Sequence, residues 1–526
     1  MMSALRPLLR LVGASLLLAC FVDVGSDGGE TMSTPGTTSS STDPSTTDTQ
    51  GPTTTTTSST STSSSTSTES TSSGGPSGCG DGKLDPDEAC DDGNDDDDDA
   101  CLSTCVPASC GDGFVWAAME ACDEGPANDD KTGACRTNCK EPACGDGAIY
   151  LDALGPERSI GGGPNDTVQS DDSPRSVGVS ANGTFAAVWS SNPKVYVQRF
   201  DGAGELLGVP VDVAPSNNDA IRDPTLAIGP GGEIAAIWES APANKIYLSR
   251  VTTMGQIVTP TSIASLPLGA LQAATAGVRP DSGVLVAFSA EAPNNGPMQV
   301  YTRRYPGFVG TADGPEVQVS AHESGDAEPP TLAIATDGGA VIAWGDPGGS
   351  ILYRRVDPEG ALGPLVTTSL RVGTGNALPS SRRWSGLSID GDQRIAIAGV
   401  TLAGDVAVQR FEADDAPGAV ALASETPPQH APFVDLAVDG TGNLAVAWTS
   451  CGDPMNEVAS CANKPNQSFV RWFYADLTPY QPATEVVSVA DGPSPIGVAS
   501  AADGTTALVY VVDKEVVARI AAPVCP

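Results

Sequence analysis

The residue types that most often carry out catalysis are sparse in this 526-residue sequence. It contains two histidines, His322 and His430, and both stand in loop-like surroundings. A Ser-His-Asp or Cys-His site needs a histidine positioned by its neighbours, and neither location indicates one. The sequence also lacks a His-Glu-x-x-His zinc motif and a Gly-x-x-x-x-Gly-Lys phosphate loop. These observations predict a protein without catalytic residues, that is, one that is not an enzyme.

Carboxylates are abundant, since 65 acidic residues oppose 27 basic ones and give a formal net charge of -38. This balance argues against nucleic acid as a partner, because phosphate binding needs clustered lysines and arginines. A pair of carboxylates is sufficient to cleave glycosidic bonds. A glycan-active hydrolase or lyase is therefore the alternative to a non-enzymatic protein.

The densest run of oxygen ligands lies between residues 91 and 99. Asp91, Asp92 and Asn94 stand close together beside a glycine, and such oxygen-rich turns suit Ca²⁺. We predict a weak calcium site at these three residues and no other cofactor. The alternative is a solvated acidic loop, which is what most charge runs are.

Nine cysteines between residues 79 and 144 form an internal repeat. Each copy begins Cys-Gly-Asp-Gly, and an acidic residue stands two positions before the second cysteine of both full copies. The first copy contains Cys79, Cys90, Cys101 and Cys105. The second contains Cys110, Cys122, Cys135 and Cys139, and Cys144 opens a third copy that then stops.

This repeat resembles the myxococcal-type cysteine-rich repeat, whose Cys-Asp-Asp-Gly-Asn core is matched fully at residues 90–94. The resemblance implies a small extracellular module over residues 79–144 that is stapled by disulfides and is not an enzyme. So small a unit has few apolar residues and needs covalent bonds to stay folded. Zinc is the competing interpretation, although no Cys-x-x-Cys pair occurs. Three pairings remain open within each four-cysteine copy.

The first residues indicate export. Two arginines precede an apolar run at residues 11–19, which is too short to span a bilayer and suits a signal peptide. The run ends in Leu-Leu-Ala-Cys20, which is similar to the bacterial lipobox, and in that family the cysteine carries a diacylglyceryl group. We predict a signal peptide over residues 1–19 and lipid on Cys20 as the sole membrane contact. The polar Ser/Thr-rich composition of residues 20–78 predicts a disordered stalk.

A unit of about fifty residues recurs seven times over residues 145–526. Its clearest strand is a small-apolar run that ends in an aromatic residue, as at residues 185–189 and 234–238. One copy, residues 395–398, is followed by Gly399 in place of the aromatic. Four short strands in each repeated unit are typical of propeller blades. We predict an all-β chain that ends in a seven-bladed β-propeller, with an array of β-sandwiches as the alternative.

The last unit contains three strands, and the segment from residue 152 to residue 160 resembles the missing fourth. We therefore predict that this N-terminal strand completes the last blade and closes the ring, which removes open sheet edges. The third strand of every copy also ends near an arginine, which we interpret as a contact between blades. These arginines are Arg199, Arg250, Arg304, Arg355, Arg410, Arg471 and Arg519.

The remaining cysteines predict two further disulfides. Cys451 and Cys461 lie in one loop insertion and are expected to pair with each other. Cys144 and Cys525 flank the predicted closure and are expected to pair, although Cys144 with a repeat cysteine is a competing possibility.

The sequence as a whole predicts a cell-surface lipoprotein, anchored in the outer membrane or secreted. Its propeller is expected to be a non-enzymatic platform that recognises a protein or a glycan. Loop insertions at residues 289–299 and 449–467 are expected to decorate its ligand face. The alternatives are the glycan-active enzyme and a structural component of the envelope, and no specific ligand-binding residue is identified.

Overall fold

Short runs of small and β-branched residues, separated by glycine turns, build this chain almost entirely from β-strands. The computed structural model describes residues 78–523 except 118, 132–134, 144–153, 163–175, 192, 215–220, 241–244, 264–268, 321–324, 373–384, 426–430, 432, 452–465 and 490–494. The described part contains 28 strands and one turn of 3₁₀-helix, Gly125–Ala127. The prediction of an all-β chain is confirmed.

The strands form antiparallel four-stranded groups, which we number as sheets 1 to 7. Sheet 1 contains β2 (Val177–Val179), β3 (Phe185–Ser191), β4 (Lys194–Phe200) and β5 (Val211–Asp212). Sheet 2 contains β6 (Ile221–Ile228), β7 (Ile234–Ser240), β8 (Lys245–Val251) and β9 (Ile257–Ser262). Sheet 3 contains β10 (Leu271–Val278), β11 (Val284–Glu291), β12 (Met298–Tyr305) and β13 (Val317–Gln318).

The remaining sheets repeat this order. Sheet 4 contains β14 (Thr331–Ile334), β15 (Ala340–Gly345), β16 (Ser350–Val356) and β17 (Val366–Arg371). Sheet 5 contains β18 (Gly386–Ile389), β19 (Ile395–Val400), β20 (Val406–Phe411) and β21 (Pro417–Leu422). Sheet 6 contains β22 (Phe433–Val438), β23 (Leu444–Cys451), β24 (Asn466–Phe473) and β25 (Thr484–Val489). Sheet 7 contains β26 (Gly497–Ser500), β27 (Thr506–Val512), β28 (Glu515–Ala521) and, from the other end of the chain, β1 (Arg158–Gly162).

The first strands in chain order of sheets 1 to 6, together with β26, are called the inner strands. Each inner strand contacts that of the next sheet, and β26 contacts both β22 and β2. Within sheet 7, β1 pairs with β28 in antiparallel register, with Arg158 opposite Ala518. The two ends of the described β-sheet region therefore meet in one sheet.

The second strand of each sheet carries the apolar pattern that the sequence displays. All seven residues of β3 are buried, and the aromatic near its end, Trp189, packs onto Gly161 of sheet 7. A Cβ at Gly161 would lie 2.3 Å from Cζ2 of Trp189, so glycine is required beneath the ring. Gly399 replaces the aromatic in sheet 5 because the backbone oxygen of Arg371 would lie 2.6 Å from a Cβ there. A residue pair formed by Arg371 and Val400 joins sheets 4 and 5 at this point.

The arginines form contacts between sheets, in agreement with our interpretation, but they do not occupy equivalent positions. Five of them reach turns of the following sheet, and Arg199, for example, donates to the carbonyl of Thr252 at 2.9 Å. Arg471 and Arg519 stand one residue earlier in their strands and donate to carbonyls of the preceding sheet. Trp472 and Ile520 take the positions that the other five arginines occupy.

The cysteine-rich module contains four disulfides among the described residues. The first cysteine of each copy pairs with the fourth, and the second pairs with the third. The pairs are Cys79–Cys105, Cys90–Cys101, Cys110–Cys139 and Cys122–Cys135. Because each of these eight sulfurs is bonded to one other in a disulfide, none of them is a thiolate that could bind zinc. The disulfides fit an extracellular or secreted protein.

Candidate functional site

Two buried carboxylates lie at the same end of sheet 2. Glu239 stands near the end of β7 and is opposite Arg222 of β6. The register shifts between Arg222 and Thr225, so Asp223 lies in a bulge beside that pair. The exposed fractions of Asp223 and Glu239 are only 8% and 7%, and carboxylates are seldom buried to this degree unless they are paired.

The backbone at Asp223 is held in an unfavourable conformation. Its φ is +47°, a value that residues other than glycine rarely adopt. The next residue is Pro224. A residue before proline is normally extended, so both constraints act against this geometry. Strained backbone of this kind persists only where the surrounding structure enforces it, and it concentrates at functional sites.

Glu239 connects this bulge to the next sheet. Its Oε1 accepts a hydrogen bond from the backbone N–H of Ala273 in β10. Ala273 also has a positive φ, +41°, and lies at a second bulge between Gln272 and Ala274. Two neighbouring inner strands are therefore both distorted at this end, and a carboxylate bridges them.

An aromatic ring also packs at this end of the inner strands. Phe433 begins β22 in sheet 6 and packs against Ala273 of sheet 3, and both are 1% exposed. The inner strands of sheets 4 and 5 lie between those of sheets 3 and 6 in the series of contacts. Phe433 and Ala273 therefore belong to sheets that are not neighbours in this series, and their contact joins sheets 3 and 6 directly.

The predicted calcium residues make contacts of their own within the first cysteine-rich repeat. Asp91 Oδ1 accepts backbone N–H groups of Gly82 and Gly93, both at 2.9 Å. Asn94 donates to Asp99 at 3.0 Å, and a hydrogen bond between Asp92 and Asp99 is the main cause that raises the pKa of Asp92. The three residues thus lie in one turn, where Asp91 stabilises the backbone and Asp92 and Asn94 both approach Asp99.

Other sequence-predicted positions lie outside the described residues. They include the lipidation site Cys20 and the cysteines Cys144, Cys461 and Cys525, while the side chain of Cys451 is likewise not described. The insertion predicted at residues 289–299 is shorter than expected, because β11 and β12 extend into it and leave residues 292–297 as the loop. The other insertion follows β23, and residues 452–465 are outside the described part.

Sequence reasoning missed Asp223 and Glu239. They lie in ordinary-looking strand sequences, and the acidic excess of the chain hides two individual carboxylates. The available signal was the Asp-Pro pair inside an inner strand, since proline is unusual in the interior of a sheet.

No protein-family model matches the sequence, and no curated protein sequence matches it. Solved structures with a similar arrangement of strands include an ulvan lyase of polysaccharide lyase family 25, which is 11% identical with a TM-score of 0.43. The similarity covers 69% of this chain and 95% of the lyase. A lectin from Burkholderia pseudomallei is 14% identical with a TM-score of 0.42, over 68% of this chain and 99% of the lectin. An α-L-arabinofuranosidase from Fusarium graminearum is 12% identical with a TM-score of 0.38, over 57% of this chain and 92% of the arabinofuranosidase.

These comparisons correct one prediction. We predicted that the chain is not an enzyme, and that prediction is wrong in the light of the lyases and the arabinofuranosidase among the similar structures. The physical reason is that catalytic groups are added to a scaffold at a few positions, so the absence of familiar motifs does not exclude catalysis.

Proposed function

We propose that this chain is an exported glycan-active protein that uses Asp223 and Glu239 to cleave a polysaccharide. The observation that carries the proposal is Asp223, a buried carboxylate whose φ is +47° immediately before a proline. A second buried carboxylate, Glu239, lies on the neighbouring strand of the same sheet. Burial of two carboxylates on paired strands, at one end of a sheet, favours a catalytic pair over a solvated acidic surface.

The scaffold that we propose for this pair is a closed seven-bladed propeller. It is supported by the succession of contacts between inner strands and by the pairing of β1 with β28. In this arrangement the pair stands at the end of the central channel where the connections between sheets enter. Substrate would approach from that end.

The chemistry needs two carboxyl groups in different protonation states. In hydrolysis, the protonated carboxyl donates its proton to the glycosidic oxygen as the C–O bond breaks. The ionised carboxylate takes a proton from the attacking water, whose oxygen forms the new bond to the sugar carbon. We propose that Asp223 and Glu239 supply these two roles between them.

Incubation of the purified chain with a panel of neutral and acidic polysaccharides tests this function. We expect release of new reducing ends, and a loss of at least about 100-fold in rate for Asp223→Asn and for Glu239→Gln. Glu359→Gln, an exposed acidic position in a turn of sheet 4, is the matched control and should retain full activity. Glycan binding without cleavage would reduce the proposal to recognition alone, and neither binding nor cleavage across the panel would overturn it.

We also propose that Cys20 carries the lipid that holds the protein at the cell surface. The proposal is supported by the lipobox-like sequence and by the disulfides, which fit an extracellular or secreted location. No helix in the described residues is long and apolar enough to cross a membrane. Replacement of Cys20 by serine should move the protein from the detergent phase to the aqueous phase, and unchanged partitioning would contradict the anchor.

A further inference from the structure

The peptide bond between Asp223 and Pro224 belongs to a chemically labile class. In an aspartyl-prolyl bond the aspartate carboxylate can attack its own carbonyl carbon, and the proline nitrogen leaves as a secondary amine. After any other residue type, the next backbone nitrogen could attack the side chain instead and form a succinimide. Proline has no N–H, so that route is closed. Chemistry at this pair of residues is therefore directed towards cleavage of the chain.

Four aspartyl-prolyl bonds lie in the described part of the chain, and one of them differs from the rest. Those at Asp85, Asp346 and Asp357 stand at the start of turns, and none of these three aspartates has a positive φ. Asp223 lies inside strand β6, is 8% exposed and has a φ of +47°. The same pair of residues therefore occurs in one strained and three relaxed settings.

Two of the turn aspartates also have a side-chain oxygen that is held by the turn. Oδ1 of Asp346 accepts the backbone N–H of Ser350 at 2.7 Å, and Oδ1 of Asp357 accepts that of Ala361 at 2.7 Å. These hydrogen bonds direct the carboxylates towards residues that follow in the chain. An oxygen held in this way is less available to attack its own carbonyl carbon.

The strain at Asp223 favours a reaction that breaks the following bond. A positive φ and a following proline act against each other, and cleavage frees the backbone from both constraints. Release of such strain in the transition state corresponds to roughly 10-fold to 100-fold in rate. The strand register passes from Arg222 to Thr225, so the labile bond lies in the bulge between paired residues. Arg222 is exposed, so solvent reaches the adjoining residue.

We propose that the folded chain cleaves itself between Asp223 and Pro224 in mild acid. A carboxylate oxygen of Asp223 attacks the carbonyl carbon of the same residue, while a hydronium ion protonates the nitrogen of Pro224. The C–N bond breaks, proline leaves as a secondary amine, and a five-membered cyclic anhydride remains on Asp223. Water then opens the anhydride, so the net reaction is hydrolysis of one peptide bond.

The cleaved chain should stay assembled, because strand pairing holds both sides of the break. Arg222 before the bond is paired with Glu239, and Thr225 after it is paired with Ile237. The N-terminal fragment also contributes β1 to sheet 7, where it pairs with β28 of the C-terminal fragment. Cleavage should therefore become visible only when the protein is denatured.

This inference goes beyond the proposed glycan chemistry and does not rest on it, although both use the carboxyl group of Asp223. Self-cleavage needs no glycan and is measured by the mass of the chain, whereas glycan cleavage is measured by new reducing ends. Pro224→Ala keeps the carboxyl groups of both Asp223 and Glu239. The two proposals can therefore fail separately.

Incubation of the purified full chain in mildly acidic buffer, followed by intact-mass measurement under denaturing conditions, tests the proposal. We expect a fragment that begins at Pro224 to appear at least about 10-fold faster than fragments that begin at Pro86, Pro347 or Pro358. The same incubation in urea is the matched control. Unfolding removes the strain, so it should bring the rates at the four bonds close together.

Two variants distinguish self-cleavage from a contaminating protease. Asp223→Glu retains the charge but requires a six-membered anhydride, which forms more slowly, and Pro224→Ala removes the good leaving group. We expect both variants to stay intact while the native chain is cleaved. Equal rates at the four bonds of the folded native chain, or cleavage at this position that persists in both variants, would overturn the proposal.

Discussion

Lys131 of the cysteine-rich module donates a hydrogen bond to Asp476 in a turn of sheet 6, with 2.7 Å between Nζ and Oδ2. The same ammonium contacts Thr478 Oγ1 at 3.0 Å, and the Tyr474 hydroxyl donates to the Lys131 carbonyl at 3.3 Å. A side chain of the disulfide module is therefore attached to a particular turn of the β-sheet region. The module therefore makes non-covalent contacts with the β-sheet region in addition to its covalent connection through the backbone.

This attachment predicts sensitivity to acid. Partial burial acts to raise the pKa of Asp476, but the hydrogen bonds from Lys131 and Thr478 outweigh it and lower the pKa to about 2. A depressed carboxyl pKa stabilises the fold above the unfolded value of 3.8, and that stability is lost as pH falls towards 2. Because the pair is largely exposed, we expect Lys131→Ala to cost less than about 1 kcal/mol at pH 7.

Hydrogen exchange measured between pH 7 and pH 2 checks this prediction. Residues 125–131 should lose protection from exchange in Lys131→Ala at pH 7, and in the native chain only below about pH 4. Lys83→Ala, which removes an exposed lysine of the same module, is the control. Equal protection in Lys131→Ala and Lys83→Ala would contradict an attachment through Lys131.

The buried arginine of sheet 5 should matter more for stability than its counterpart in sheet 1. Arg410 is paired with Asp390 at 3.2 Å and also donates to the carbonyl of Gly442 at 2.9 Å. Asp390 also has an ion pair with Arg394 at 2.8 Å, so removal of Arg410 should cost about 1.5–3 kcal/mol, the range for hydrogen bonds to a charged group, and does not leave the carboxylate unpaired. We expect Arg410→Ala to lose about that free energy of unfolding in urea.

Arg199→Ala is the matched comparison for Arg410→Ala. Arg199 contacts backbone carbonyls of sheet 2 and is less buried, so its loss should cost only about 1–2 kcal/mol. Equal losses for the two variants would show that the carboxylate of Asp390 contributes nothing.

Calcium should protect the turn at Asp91, Asp92 and Asn94. A ligand that binds only the folded state at tenfold excess over its Kd stabilises that state by about 1.4 kcal/mol. We expect millimolar Ca²⁺ to slow hydrogen exchange of residues 90–101 in the full chain, and Asp92→Asn to abolish the effect. Identical exchange with calcium and with chelator would exclude this site.

Cys144 and Cys525 should form a disulfide. The backbone N–H of Gly155 donates to the carbonyl of Ile520 at 2.8 Å, so these two residues, which lie 11 and 5 positions from the two cysteines in sequence, are in contact. Bond formation requires Cα atoms within about 7 Å. Non-reducing peptide mapping should recover the two cysteines in one peptide pair, and a partner other than Cys525 for Cys144 would contradict the prediction.

The repeated pattern made the strands predictable, because a buried second strand needs small apolar residues at each position. Residues 185–189 and 234–238 were identified from that pattern, and both lie in fully buried strands. The role of Gly399 was less predictable, since it depends on the approach of Arg371 from a neighbouring sheet. Contacts between sheets are not encoded in the local pattern of either sheet.

The candidate site was unpredictable for a related reason. Asp223 is unusual through its φ and its burial, and both depend on how sheets 2 and 3 pack. The disulfide pairing was open among three arrangements, and the fold of each repeat selects one of them by placing its first and fourth cysteines together. Geometry of this kind follows from tertiary packing, which residue types and spacing do not determine.

The positions of the arginines make the junctions between sheets unequal. In each of sheets 1 to 5, the third-strand arginine donates to backbone carbonyls of the following sheet. Sheet 7 has Ile520 at the equivalent position. Sheets 7 and 1 are held together by apolar packing, which includes Trp189 over Gly161, and by an exposed ion pair between Arg158 and Glu205 that salt weakens. The joint between sheets 7 and 1, where β1 and β28 bring the two ends of the β-sheet region together, therefore depends on apolar packing and not on an arginine that reaches the next sheet. A duplicated unit inserted at this joint would leave every forward-reaching arginine contact intact.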